Sequence, residues 1–161
     1  MGRRRCGNPS FRSGMNLPEI RGALDTSVVM RLLTGQPVDL AMAARRYMEE
    51  TERAGGKVFV SNLVVLEVYF ACQHHYGMSK EVVLGGLRSL LSMSTFVVHP
   101  QLLPLLATEG LATAKPGFLD RLIHAEATAS RLPLVTFEKA AARLPHTEVL
   151  EGGGREVRSE K

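Results

Sequence analysis

Residues 22–33, GALDTSVVMRLL, decide the fold of this chain. A short apolar approach ends on a single carboxylate, Asp25, and the residues after Ser27 are apolar at helical spacing. The pattern predicts a short buried strand, a sharp turn and a helix capped by Thr26 or Ser27. In open α/β sheets, ligands bind just beyond the carboxyl ends of the strands. Asp25 is therefore expected at a ligand-binding edge, and a role only in the helix cap is the alternative.

The composition is that of an ordinary globular protein. The 161 residues are 45% hydrophobic and 22% charged, which suits one domain with a proper core. No apolar run is long enough to span a bilayer, because Glu67 interrupts the longest one, and the N-terminus lacks the apolar segment of a secretory signal. The two cysteines, Cys6 and Cys72, make no disulfide framework. The chain is predicted to be cytoplasmic.

The basic charge is concentrated at the N-terminus. Residues 1–21 contain five arginines against Glu19 alone, whereas the remainder has 15 basic and 15 acidic side chains. Such a tail can hold nucleic acid electrostatically. The favoured interpretation is a disordered leader over residues 1–19, or an upstream start-site artefact with Met15 as the true start. A domain over residues 20–150 and a flexible tail over 151–161 complete the predicted organisation.

Strand and helix patterns alternate along the rest of the chain. This alternation predicts an α/β fold with a mostly parallel sheet covered by helices. A Gly85-Gly86 pair inside one predicted helix costs about 1 kcal/mol per glycine relative to alanine, or allows close packing. Strands are predicted near residues 22–24, 57–60, 95–99, 132–137 and 148–150, and helices over 26–34, 39–54, 61–76, 79–92, 100–113, 118–130 and 138–143.

Four carboxylates are candidates for chemistry. Asp25 and Glu138 each follow a predicted strand, and Asp120 opens a predicted helix. Glu67 lies within a helix that is apolar nearly all round, where burial of an isolated carboxylate is costly unless it is paired or binds a cation. An ion pair of Glu67 with Arg31 or Arg121 is the alternative. For Asp120 the alternative is stabilisation of the helix N-terminus, and for Glu138 it is a solvated surface position.

Convergence of these acids at one sheet edge would require a compensating cation. A hard cation with oxygen ligands, Mg²⁺ or Mn²⁺, is the natural partner. Such a cluster without a phosphate-binding lysine loop indicates metal-assisted hydrolysis of a phosphodiester. Three hydroxyls, those of Thr26, Ser27 and Thr136, are placed to bond the attacking water or metal-bound waters, with ordinary helix and turn caps as the alternative.

The motifs LDTSVVMRLLTG, KVFVSNLVVLEVYFACQHHYGMS, GFLDRLIHAEA and RLPLVTFEKAAARLP resemble, in order and spacing, those of the PIN domain. They are most similar to the VapC-type toxin ribonucleases of toxin–antitoxin pairs. The resemblance implies a three-layer α/β/α fold with a four- to five-stranded, mostly parallel sheet. It also implies Mg²⁺- or Mn²⁺-dependent cleavage of RNA, a homodimer and a cognate antitoxin that covers the acidic groove. By position, the implied acids are Asp25, Glu67, Asp120 and Glu138, with Thr26, Ser27 and Thr136 as the accompanying hydroxyls.

The chain departs from the family pattern at two points. The fourth acid is Glu138, where aspartate is common, and KPGF lacks the acid that relatives often carry near Gly117. A non-catalytic PIN-like module that binds RNA or protein is therefore the alternative function. A phosphatase with an aspartyl nucleophile is disfavoured, because Ser27 stands where that chemistry needs a second acid. The adjacent His74 and His75 do not make a zinc spacing with Cys72.

Overall fold

The computed structural model describes residues 19–151. The predicted leader and tail fall outside the described residues, except at their inner boundaries. The strands are β1 (Ile20–Ala23), β2 (Lys57–Phe59), β3 (Phe96–Val97), β4 (Leu134–Thr136) and β5 (Thr147–Val149). The helices are α1 (Thr26–Thr34), α2 (Val38–Arg53), α3 (Asn62–Tyr76), α4 (Lys80–Leu91), α5 (Leu102–Leu106) and α6 (Phe118–Ala129), followed by a 3₁₀ helix, Lys139–Arg143.

All the strand pairs are parallel, which confirms the predicted α/β class. One sheet has the order β1-β2-β3, with Ala23 opposite Phe59 and Phe59 opposite Val97. The second sheet contains β4 and β5. Within residues 19–151, no hydrogen-bonded ladder joins β1 to β4. Ile20 and Ala23 consequently remain exposed at the outer edge of β1.

Local signals set most helix ends as predicted. Ser61 and Ser79 cap α3 and α4, each accepting a hydrogen bond from a backbone N–H three residues later. Gly35 and Gly77 end α1 and α3 in the left-handed conformation, with φ of 69° and 61°. The predicted cap of α1 was wrong. Asp25 is the N-cap, because its short carboxylate reaches the Val28 N–H while the hydroxyl residues already belong to the helix.

The core lies between the three-stranded sheet and α1, α3 and α4. Val65, Val68 and Cys72 on α3 are fully buried, as are Val58 on β2 and Leu87 on α4. α2 is amphipathic and buries Ala41, Ala44 and Thr51. No helix within residues 19–151 is long and apolar enough to cross a membrane.

Burial of α3 on all sides was a wrong prediction. Leu63 is 75% exposed, and Glu67 and Phe70 lie on the same exposed strip of the helix. The reason is tertiary: α1 and α4 cover one side of α3, and α6 covers another through the Phe118–Tyr69 ring contact. A strip between these neighbours stays open to solvent, and Glu67 needs no buried partner.

The region after β3 is less regular than predicted. The strand expected over residues 95–99 is confined to Phe96–Val97, and the helix expected over 100–113 is confined to Leu102–Leu106. Gly110 adopts a left-handed conformation with φ of 66°, which a continuous helix does not contain. Leu106 is thus buried at the end of the short helix α5, and Leu111 is buried from a turn.

The two glycines of α4 have different roles. A Cβ added at Gly86 would lie 2.8 Å from Cδ1 of Leu33, whereas a Cβ at Gly85 would have no heavy atom within 4 Å. We expect Gly85→Ala to raise the free energy of unfolding by about 0.5–1 kcal/mol through helix propensity. Gly86→Ala should raise the free energy of unfolding by less than Gly85→Ala does, or should lower it, because Leu33 must move. Urea unfolding of both variants tests the difference, and equal stabilisation by both would contradict close packing at Gly86.

Candidate active site

Asp25 lies exposed between the end of β1 and the start of α1. Its Oδ1 accepts hydrogen bonds from the Val28 N–H, at 3.0 Å, and from the Ser27 hydroxyl, at 2.8 Å. The bond from Val28, followed by that from Ser27, holds the pKa of Asp25 below its ordinary value. Asp25 is therefore a carboxylate at neutral pH, with its second oxygen available to a ligand.

Glu67 on α3 approaches the same point from the neighbouring helix. The Thr26 hydroxyl donates a hydrogen bond of 2.5 Å to Oε2 of Glu67 and so links α1 to α3. Four residues after Thr26 and five residues after Glu67, the two helices pack through the sulfur atoms of Met30 and Cys72, which lie 3.7 Å apart. Burial raises the pKa of the Cys72 thiol, which keeps it an uncharged core group. This packing sets the position of Glu67 relative to Asp25.

Asp25 and Glu67 line one cavity of about 610 Å³, which we call the acid cavity. Thr26 and Ser27, two of the predicted hydroxyl residues, also line it. The structure therefore brings together the first two predicted acids and their neighbouring hydroxyls.

The acid cavity also contains residues that sequence reasoning did not assign to the site. Arg31, His75 and Tyr76 are part of its wall. His75 follows Glu67 by two helical turns, so the spacing places both on one face of α3. The i, i+8 spacing of Glu67 and His75 is the feature of the sequence that could have identified His75 as part of the site.

Neither alternative ion pair of Glu67 is formed in the described part of the chain. The carboxylate of Glu67 accepts from Thr26, and Nε of Arg31 is shielded from solvent without a hydrogen-bond partner among residues 19–151. Nε of Arg121 donates to the Pro116 carbonyl at 2.9 Å. Arg31 thus lines the acid cavity and has an Nε–H donor without a partner in this part of the chain.

Asp120 and Glu138 line a different cavity of about 400 Å³, together with Lys80 and Lys115. Oδ2 of Asp120 accepts from the Gly117 N–H at 3.2 Å, so this carboxylate stabilises the start of α6. Oε1 of Glu138 accepts from the Ala140 N–H at 3.0 Å and caps the 3₁₀ helix.

Thr136 supports Glu138 and is not part of the acid cavity. Its hydroxyl oxygen accepts a hydrogen bond of 3.0 Å from the Glu138 N–H. Across residues 19–151, no three His, Cys, Asp or Glu side chains lie close enough to hold one ion. The four predicted acids therefore form two pairs, and metal ligation by Asp120 and Glu138 stays a prediction.

The acid cavity fits a hard divalent cation. Mg²⁺ is commonly bound through one or two carboxylates while it keeps several waters. Asp25 and Glu67 supply the two carboxylates, and the cavity is large and open enough for waters. Its donors are oxygen atoms of carboxylates and hydroxyls, which suit Mg²⁺ or Mn²⁺ better than a softer metal.

The Ser27 hydroxyl should contribute to the lowered pKa of Asp25. We expect Ser27→Ala to raise the pKa of Asp25 part of the way to its ordinary value, because the stronger Val28 hydrogen bond remains. Asp25 stabilises the fold above its unfolded pKa of about 3.9, and this contribution is lost as the pH falls through the lower folded pKa. Ser27→Ala should reduce the stability that ionised Asp25 contributes to the fold. Carboxyl NMR titration checks the shift, and an unchanged or lower pKa would contradict it.

Comparison with known proteins places these features in a family. The model of the PIN domain matches residues 23–146, which is more than half of the chain and includes all four predicted acids. No curated protein and no solved structure matches the chain. The matched segment contains β2, β3, β4 and both acid pairs; it begins at the last residue of β1 and ends before β5. PIN domains are generally of nuclease type, and this chain belongs to the PIN domain family.

Proposed function

We propose that this protein is a divalent-metal-dependent endoribonuclease that hydrolyses RNA phosphodiester bonds. The observation that carries the proposal is the pairing of Asp25 and Glu67 in one open cavity at the carboxyl end of β1. Membership of the PIN family supports the nuclease class, since PIN domains typically bind divalent metals. RNA as the substrate rests on the resemblance of the motifs to toxin ribonucleases.

Each residue of the acid cavity has a role that follows from its contacts. Asp25 and Glu67 would hold Mg²⁺ or Mn²⁺, which supplies an activated water and stabilises charge on the phosphate. Thr26 orients Glu67 through its hydrogen bond, and Ser27, after Val28, helps to hold the pKa of Asp25 below its ordinary value. Arg31 presents guanidinium donors to the same space, where a phosphate oxygen would accept them.

We further propose that the protein is the toxin of a type II toxin–antitoxin pair, acts in the cytoplasm and forms a homodimer. The order and spacing of the motifs support this role. The antitoxin would cover the acid cavity, whose exposed carboxylates suit a cationic side chain. The close Gly86–Leu33 contact lies within one chain, so it is not available to a dimer.

The alternative is a non-catalytic PIN-like module that binds RNA or protein. The specific observation in its favour is the separation of Asp120 and Glu138 from the acid cavity. The two carboxylates of the acid cavity suffice to bind an ion. A cleavage site with two carboxylates in place of four would, however, stabilise less of the charge that develops on the phosphate. The two functions differ in whether bound metal leads to cleavage.

The experiment is incubation of the purified full chain, free of antitoxin, with a mixed pool of cellular RNA. Parallel reactions contain Mg²⁺, Mn²⁺ or EDTA, and calorimetry measures binding of each metal. Discrete cuts that need metal would support the endoribonuclease. Metal binding without cleavage would favour the non-catalytic module, and the absence of both would reject the metal site.

A further inference from the structure

A second cavity lies on the other side of Asp25 from the acid cavity. It has a volume of about 620 Å³ and is bounded by β1, α1 and α2. We call it the α2 cavity. Asp25, Ser27 and Arg31 line both cavities, so the two spaces adjoin at these side chains. The two cavities are therefore close enough for one ligand to contact both.

The walls of the α2 cavity are mostly apolar. Leu40, Ala43 and Ala44 on α2 face Val28 on α1 across the cavity, and small alanine side chains leave the space open. Leu40 is 49% exposed, so part of this apolar wall is open to solvent. Pockets of this size and character are typical of sites for small organic groups.

Tyr47 adds an aromatic surface to this cavity. Tyr47 is 40% exposed as a residue, and its hydroxyl lies so close to the β1 backbone that a Cβ at Gly22 would be 3.2 Å from it. The contact with Gly22 places the tyrosine beside the strand that ends at Asp25. An exposed aromatic ring near a cleavage site is suited to stacking on a flat heteroaromatic group.

Arg31 lines both cavities. Its Nε is shielded from solvent and has no hydrogen-bond partner among residues 19–151. A shielded donor without a partner is costly, and an acceptor in the cavity would remove that cost once the Arg31 side chain turns toward it. A phosphate oxygen at the junction of the two cavities would be such an acceptor, since guanidinium groups match phosphate geometry.

We propose that the α2 cavity binds the base of the nucleotide next to the scissile phosphate, with the base against Tyr47 and its phosphate on Arg31. This inference rests on the proposed function for its substrate class. Single-stranded RNA is recognised largely through unstacked bases that lie on aromatic side chains. The apolar cavity with its aromatic wall suits the base, and Arg31, with its unpartnered Nε beside the acids, suits the phosphate.

The test measures RNA binding without cleavage. A fluorescently labelled single-stranded RNA and an oligonucleotide of equal length with an abasic backbone are titrated with the full chain in EDTA at low ionic strength. Fluorescence anisotropy gives the dissociation constants. The variants are Tyr47→Ser, which removes the ring, Ala43→Leu, which fills the cavity, and Tyr47→Phe, which keeps the ring. Met42→Leu, on α2 but not on the cavity wall, is the matched control.

We expect Tyr47→Ser and Ala43→Leu to bind intact RNA about tenfold more weakly than the wild type, in line with the loss of one base–aromatic stack. Tyr47→Phe and Met42→Leu should bind as the wild type does. The abasic oligonucleotide should bind the wild type and Tyr47→Ser equally. Circular dichroism melting verifies that every variant is folded.

Equal binding of intact and abasic oligonucleotides by the wild type would overturn the inference, as would unchanged binding by Tyr47→Ser and Ala43→Leu. The proposed endoribonuclease would survive either result if metal-dependent cleavage persists. Base-dependent binding that needs Tyr47, together with an absence of cleavage, would support the base site and reject the nuclease.

Discussion

Asp25→Asn is expected to lower the rate of RNA cleavage by more than about 100-fold, the upper end of the loss seen for outer-shell partners of metal ligands. The substitution removes the negative charge that a cation needs. Asparagine caps helices as well as aspartate does, so the Val28 hydrogen bond and the start of α1 should survive. Single-turnover cleavage in Mn²⁺, measured beside thermal unfolding, tests both halves of this prediction.

Two control variants sharpen the test of Asp25. Asp25→Ala removes the cap as well as the charge, and should lose about 1 kcal/mol of stability in addition to activity. Asp39→Asn makes the same charge change in the first turn of α2, outside both cavities, and should leave cleavage unchanged. Cleavage by Asp25→Asn at the wild-type rate would contradict the active-site assignment.

Glu67→Gln and Glu138→Gln are expected to differ by about tenfold or more in their effect on Mn²⁺ affinity. Glu67 shares the acid cavity with Asp25, whereas the Glu138 carboxylate caps the 3₁₀ helix from the other cavity. Glutamine keeps an oxygen that can accept the Thr26 hydrogen bond, so the contact between α1 and α3 should persist in Glu67→Gln. Isothermal titration calorimetry with Mn²⁺ measures the affinities.

Equal loss of affinity in the two variants would contradict the division of the acids into two pairs. It would mean that the four carboxylates converge in solution, as the resemblance to toxin ribonucleases implies. Thermal unfolding of both variants provides the control for folding. Glu138→Gln should weaken the start of the 3₁₀ helix only slightly, because its cap is at an exposed position.

Much of the fold could be predicted because its signals are local. The caps at Ser61 and Ser79 and the stop at Gly77 depend on hydrogen bonds and backbone angles within a few residues. The position of Asp25 at the end of β1 follows from the change of pattern from strand to helix. The helix expected over residues 100–113 was wrong beyond Leu106, because Leu111 is buried from a turn, which periodicity does not distinguish from a helix.

By itself, the sequence determined the α/β class, the placement of Asp25 at a strand end and the identity of the candidate acids. The tertiary structure alone decided which acids meet. Packing of α1 against α3 brings Glu67 to Asp25, and packing of α6 beside α3 leaves Glu67 exposed. The same packing places Arg31 between two cavities. Helix rotation and neighbour contacts set these relations, and they depend on residues far apart in the chain.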